Sequence, residues 1–181
     1  MNLEQLKIKV YSLIEEYSEE SEELTEDQDL SSKFNSVANQ VINEVARMKK
    51  IEAYTTIEGQ EGDIVEFKDI DDRLYQVNIV RGVECDLIGS RLKFNATGTA
   101  EIFYYQYPVQ IDIDTDDSTE LDLSIDALEC VVYGIAADLL AADVSTGYGQ
   151  VYRERYRQLL QELDPRKSLG SVYISGGIDV L

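Results

Sequence analysis

Histidine and tryptophan are absent from this 181-residue chain, which has only two cysteines, two prolines and two methionines. Without histidine there is no Ser-His-Asp triad and no imidazole metal site. Cys85 and Cys130 stand 45 positions apart with no CxxC spacing. In a reducing compartment both are expected to act as small buried hydrophobes rather than as a metal or redox pair. Cations are scarce as well. Sixteen bases face 36 acids for a net charge of −20, which argues against wide contact with nucleic-acid phosphates, since such contact requires cationic neutralisation. A long uncharged apolar run is also missing. Residues 127–144 come closest, but Glu129, Asp138 and Asp143 interrupt them. The opening "MNLEQLKIKV" lacks the apolar core of a signal peptide. The expectation is a soluble protein made in a cytoplasm, with no membrane partner.

What the chain does have is hydrophobic periodicity. At this length a domain can bury roughly 70% of its unfolded surface, and 44% of the residues are hydrophobic. Leu3, Leu6, Val10, Leu13, Ile14 and Tyr17 keep helical spacing, which predicts an amphipathic helix over residues 2–17. "EESEELTEDQD" follows; its like charges repel and it offers no apolar face, so it reads as a solvated linker. Asp29 or Ser31 is a candidate cap for a second helix over 31–49. Phe34, Val37, Ala38, Val41, Ile42 and Val45 form its apolar stripe, and Ser36, Asn39, Gln40, Asn43 and Arg47 lie opposite.

After Lys50 the period changes from 3.6 to 2. "AYTTIEG", "DIVEFKD", "RLYQVNIVRG", "ECDLIGS", "RLKFNA" and "AEIFYYQYP" are short β-prone runs separated by turn residues. Strict alternation puts Tyr75, Val77 and Ile79 on one face of their run. It also sets Phe103, Tyr105 and Tyr107 against Ile102 and Tyr104. Asn95 to Gly98 supply a turn, and Pro108 ends the last run. Residues 51–113 are therefore expected to form a small antiparallel sheet between the second and third helices. The fold class is α+β: a bundle of about four helices carrying that insertion.

Two motif tests fail. Asp112, Asp114 and Asp116 match the first ligand positions of a calcium loop, but Asp117 replaces the required glycine and Leu123 the closing glutamate. Gly147 and Gly149 are not followed by the lysine of a phosphate loop. They mark a hinge between helices at 124–144 and 148–163. In the first of these, 15 of the 18 positions from 127 are apolar or glycine, so it is expected to be surrounded by other elements, with Ser124 as cap. Gly134, Ala136, Ala137, Ala141 and Ala142 would let neighbours approach closely. The last helix buries Tyr148, Tyr152, Tyr156, Leu159, Leu160 and Leu163, and Arg153, Arg155 and Arg157 are read as lying opposite. It stops before Asp164-Pro165. No catalytic constellation, metal set or cofactor motif emerges, and the chain is read as a non-enzyme.

The segment "LDLSIDALECVVYGIAADLLAADVSTGYGQVYRERYRQLLQEL", preceded by the strand end "IFYYQYP", resembles the C-terminal half of head–tail connector proteins, the neck adaptors of tailed double-stranded-DNA bacteriophages. Residues 99–163 carry the resemblance; the rest matches by order of elements. It implies a structural virion protein in the neck, between head and tail. Residues 1–167 would be a single connector domain, with 168–181 as a C-terminal tail. Its partners would be a homo-oligomeric ring of this chain, a dodecamer, then the portal protein and the stopper or tail-completion protein. Double-stranded DNA would pass through the channel without sequence-specific binding, and the chain would be synthesised in the host cytoplasm.

A ring needs lateral faces of opposite sign. Acids at 15–29 and 112–126 against Arg153, Arg155 and Arg157 are the expected pair; phosphate binding is a less common use of such arginines than helix-surface ion pairing, within the subunit or with an acidic neighbour. In the tail, Val172, Tyr173, Ile174, Ile178 and Val180 fall in β-prone runs around Gly176-Gly177, expected to add a strand to the portal or a neighbouring subunit. The competing expectation is an acidic binding module, a DNA mimic or inhibitor that occupies a basic groove.

Overall fold

A computed structural model describes residues 1–15, 28–142 and 147–163 of the chain. Helix α1 spans Leu3–Glu15 and α2 spans Gln28–Met48. Strand β1 follows over Ile51–Gly59 and β2 over Ile64–Glu66, after which a single turn of helix, α3, occupies Phe67–Ile70. Strands β3 (Leu74–Arg81), β4 (Cys85–Ile88), β5 (Arg91–Phe94) and β6 (Gly98–Gln106) come next. Helix α4 covers Ile125–Leu139, runs into a 3-10 turn at Leu140–Ala142, and α5 covers Tyr148–Glu162.

The helices form one core. Helix α4 packs against α1, α2 and α5, and ten of its fifteen residues are buried. That follows from its composition, because a helix apolar nearly all round has no face to give to water. Leu3, Leu6, Val10 and Ile14 of α1 and Phe34, Ala38, Val41, Ile42 and Val45 of α2 close over it. Gly134 is where the contact is tightest. A Cβ there would come within 2.6 Å of Val41 Cγ1 and 2.9 Å of Tyr156 Cε2, so α2 and α5 clasp α4 at a point that only glycine leaves open. At the hinge, Gly147 adopts a left-handed φ of 71° and forms the N-cap of α5.

The insertion holds a second core. The antiparallel strands make two three-stranded sheets, ordered β1-β6-β3 and β2-β5-β4. Ala100, Ile102 and Tyr104 of β6, with Leu74 and Val77 of β3, face Leu92 and Phe94 of β5 and Phe67 of α3. The Tyr104 hydroxyl donates to Asp71 Oδ2 at 2.7 Å, which gives this half-sunken phenol a partner. The turn at Asn95 does not make a hairpin: it carries the chain from one sheet to the other, since β5 and β6 do not pair with each other.

Several expectations need correcting. There are two small sheets instead of one, and strands end at Gln106 rather than near 113. "DIVEFKD" divides into β2 and the turn of helix α3. In β3 the register slips between Leu74 and Gln76 and again between Val77 and Ile79. Each bulge advances the chain by one residue and flips the side chains that follow. Leu74 and Val77 are therefore inside, whereas Ile79 is 42% exposed. Strand β6 has no such slip against β1 and keeps strict alternation.

Helix α2 starts at Gln28, so Asp29 and Ser31 lie in its first turns and not at a cap. Ser124 is the N-cap of α4 by position, without a side-chain bond to the helix backbone. The N-terminus instead carries a capping box. Asn2 Oδ1 accepts from the Gln5 amide at 2.9 Å, and Gln5 Oε1 accepts from the Asn2 amide at 3.2 Å.

Candidate interaction surfaces

Helix α5 carries the predicted arginines, but not as one patch. A residue advances 100° around a helix axis, so Arg153 and Arg155 fall on opposite flanks of the buried tyrosine arc, and Arg157 sits farther round. Arg153 donates to Asp138 Oδ1 at 3.0 Å. Arg155 lies 3.6 Å from Glu129 Oε1 and over the ring of Tyr133. Both ion pairs bind α5 to α4 within the same chain. Arg157 forms no ion pair among the described residues. The tail positions Val172, Tyr173, Ile174, Ile178 and Val180 lie outside the described residues, as do residues 16–27 of the acidic stretch 15–29.

The clasp of α4 by α2 and α5 also encloses reactive groups. Burial pushes the Cys130 thiol up to about 12, assisted by the carboxylates of Glu44 and Glu129. Its Sγ points at the Tyr156 carbonyl oxygen at 3.9 Å. The Tyr156 hydroxyl is buried with no hydrogen bond of good geometry. Burial raises its pKa, and the facing Glu44 carboxylate raises it further. Neither group is available as a nucleophile near neutral pH.

In the acidic loop between β6 and α4, two carboxylates bind the loop's own backbone and two pair with cations near the N-terminus. Asp112 Oδ1 accepts from the Asp114 amide at 2.9 Å, and Asp116 Oδ1 from the Ser118 amide at 2.7 Å. Lys7 pairs with Asp117 at 2.6 Å, and the N-terminal ammonium with Glu120 at 3.0 Å. Asn39, assigned to the polar face of α2, clamps the loop. Its Nδ2 donates to the Ile111 carbonyl at 2.7 Å, and its Oδ1 accepts from the Ile111 amide at 2.8 Å. The loop presents Ile113, 92% exposed, at its outer end. Among the described residues no group of three or more metal-ligating side chains converges.

Where the bundle meets the insertion lies an open groove of about 920 Å³, lined among others by Arg47, Lys49, Lys50, Tyr105, Asp126 and Leu163. Lys49 Nζ is 2.5 Å from Asp126 Oδ2. That hydrogen bond, with a second from Ser124, draws the Asp126 carboxyl down to about 2. Arg73 holds Asp122 at 2.8 Å beside the buried Gln106, whose amide oxygen it also reaches at 3.3 Å. Two of the groove's carboxylates, Asp122 and Asp126, are thus held in ion pairs, and the remaining lining mixes charges of both signs with apolar side chains.

The outer face of the β1-β6-β3 sheet is aromatic. Tyr54 meets Phe103 at a centroid distance of 4.9 Å, and Tyr75 meets Tyr107 at 4.7 Å and Tyr105 at 6.4 Å. Lys50 lies over Tyr105 at 4.3 Å and Arg81 over Phe103 at 5.2 Å. The signal for this face was in the sequence, in the alternation of "IFYYQY"; what covers or exposes it was not. No helix of the described residues is long and apolar enough to cross a membrane. Comparison with protein-family models and with curated proteins finds no match for this chain.

Proposed function

We propose that this chain is a head–tail connector subunit, a neck adaptor of a tailed double-stranded-DNA phage. It assembles as a dodecameric ring beneath the portal vertex. The ring extends the DNA channel and gives the stopper or tail-completion protein a platform. The observation that supports this reading best is the position of α4, enclosed by α1, α2 and α5 and locked to α5 by Arg153–Asp138 and Arg155–Glu129. A ring subunit must transmit load without deforming, and a close-packed central helix provides that stiffness. Excess negative charge suits a channel through which DNA slides without adhering. The enclosed reactive groups and the ion-paired Asp122 and Asp126 of the groove favour a structural role over a catalytic one.

The test is imaging of the purified chain mixed with the portal of the same phage. The expected result is twelve-fold annular particles stacked on the portal, lost when residues 169–181 are deleted while the circular-dichroism spectrum is unchanged. A chain that ignores the portal and instead displaces DNA from a basic protein is an acidic mimic, and the connector reading is then wrong.

A further inference from the structure

The outer face of the β1-β6-β3 sheet has an ordered charge pattern in addition to its aromatic rings. Along the β1 edge, Glu52, Tyr54, Thr56 and Glu58 point outward and are exposed. The register with β6 and β3 sets them in rows: Glu52 beside Tyr105 and Gln76, Tyr54 beside Phe103 and Ile79, Thr56 beside Glu101 and Arg81. Lys50 crosses to the β3 side, where its Nζ reaches Gln76 Oε1 at 3.2 Å. Glu52 and Glu58 therefore line one edge, the Lys50 ammonium and Arg81 lie toward the other, and the rings of Phe103 and Tyr105 lie between them with Glu101 at one end. Exposures of 53% for Tyr54, 42% for Ile79 and 58% for Tyr107 are high for side chains of this size.

We infer that this face packs against the same face of a second copy, as an isologous two-fold dimer. A two-fold axis parallel to β6, placed between two facing sheets, sets β1 of one copy over β3 of the other at equal height. Glu52 then meets Lys50 of its mate, Tyr54 meets Ile79, Phe103 stacks on Phe103, and Glu58 comes beside Arg81. One pair of like charges, Glu101 on Glu101, lies in the centre, and each has Arg81 next to it in its own sheet by register. Aligned sheets pack in this way about 10 Å apart, with interdigitating side chains. Nucleic acid is a poor occupant despite the stacking rings, because Glu52, Glu58 and Glu101 share the face.

The dimensions make this a small interface. Three strands about 4.8 Å apart and nine residues at about 3.3 Å give a face of roughly 430 Å² per copy. That is about half the area each partner contributes to a standard stable interface. The contact therefore belongs with small, weak interfaces, and its association is sought up to high protein concentration. A two-fold contact closes after two copies, so it differs from the head-to-tail contacts of a ring and does not depend on the connector reading.

Sedimentation velocity of the full chain over roughly 1–500 μM reads the association directly. Two charge-reversed variants are compared, Glu52→Lys/Glu58→Lys and Lys50→Glu/Arg81→Glu. Each alone sets like charges face to face and is expected to weaken association at least about tenfold. An equimolar mixture restores both edge pairings, and association should return to within about threefold of the original. Recovery in the mixture also shows that both variants are folded. A parent chain that is monomeric throughout, a variant that associates like the parent, or a mixture that stays dissociated would each overturn the inference.

Discussion

Gly134→Ala tests the clasp at the centre of the bundle, because two effects of known size oppose each other there. In an exposed helix this change stabilises by about 1 kcal/mol, since alanine is the better helix former. At Gly134 the new methyl would stand 2.6 Å from Val41 Cγ1 and 2.9 Å from Tyr156 Cε2. Carbon atoms in favourable contact are about 3.5–4.0 Å apart, so α2 or α5 must retreat by about 1 Å. Overpacking of that kind costs about 1–3 kcal/mol. The clash outweighs the gain, and the net expectation is a loss of up to about 2 kcal/mol, or up to roughly 8 °C in Tm for a domain of this size. Urea unfolding followed by circular dichroism measures it, with an unchanged m-value expected.

Val41→Ala provides the internal control, because it removes the methyl that Gly134→Ala would strike. The double variant should be more stable than the sum of the single effects predicts, by about 1 kcal/mol. A Gly134→Ala protein that gains stability, as at an exposed helical position, would refute the close approach of α2 and α5 to α4.

Three further outcomes follow from the geometry. Replacing Asn39 by alanine strips both partners from the buried Ile111 backbone and should cost about 1–3 kcal/mol, with faster amide exchange through the acidic loop; exchange unchanged there would mean that the clamp does not hold the loop. With its thiol pushed up to about 12, Cys130 should resist an aromatic disulfide reagent at pH 8 until denaturant is added, while the half-buried Cys85 reacts in the native protein; equal native rates would contradict the burial of α4. Asp126 is lowered in the folded state, so its contribution is complete above the unfolded carboxylate value near 4 and disappears as pH falls toward 2. Its side chain is 57% exposed, so Asp126→Asn should cost less than about 1 kcal/mol at pH 7, and the two proteins should converge near pH 2; a gap that persists in acid would assign the effect to packing.

The sequence by itself determined the elements whose signal is local. A period of 3.6 places Leu3, Leu6 and Val10, and then Phe34, Ala38 and Val41, on buried stripes because side chains three and four apart share a face whatever the rest of the chain does. The burial of α4 was legible for the same reason, since a helix with no polar side can only be internal. Alternation in β6 held because that strand pairs with β1 without a slip. Only the tertiary structure decided the remainder. The bulges in β3 depend on its neighbour, so a period-2 reading of "RLYQVNIV" put Val77 on the face of Tyr75 and Ile79, whereas the slips turn it inward. The division into two sheets depends on which strand β6 finds, a choice among partners far apart in sequence. Asn39 looked like a surface residue until the fold brought Ile111 to it from 72 positions away. The helical period already separates Arg153 from Arg155, but only the packing of α5 on α4 gave them Asp138 and Glu129 as partners. Hydrophobic period is written along the chain, whereas register and charge pairing arise between segments that meet only after folding.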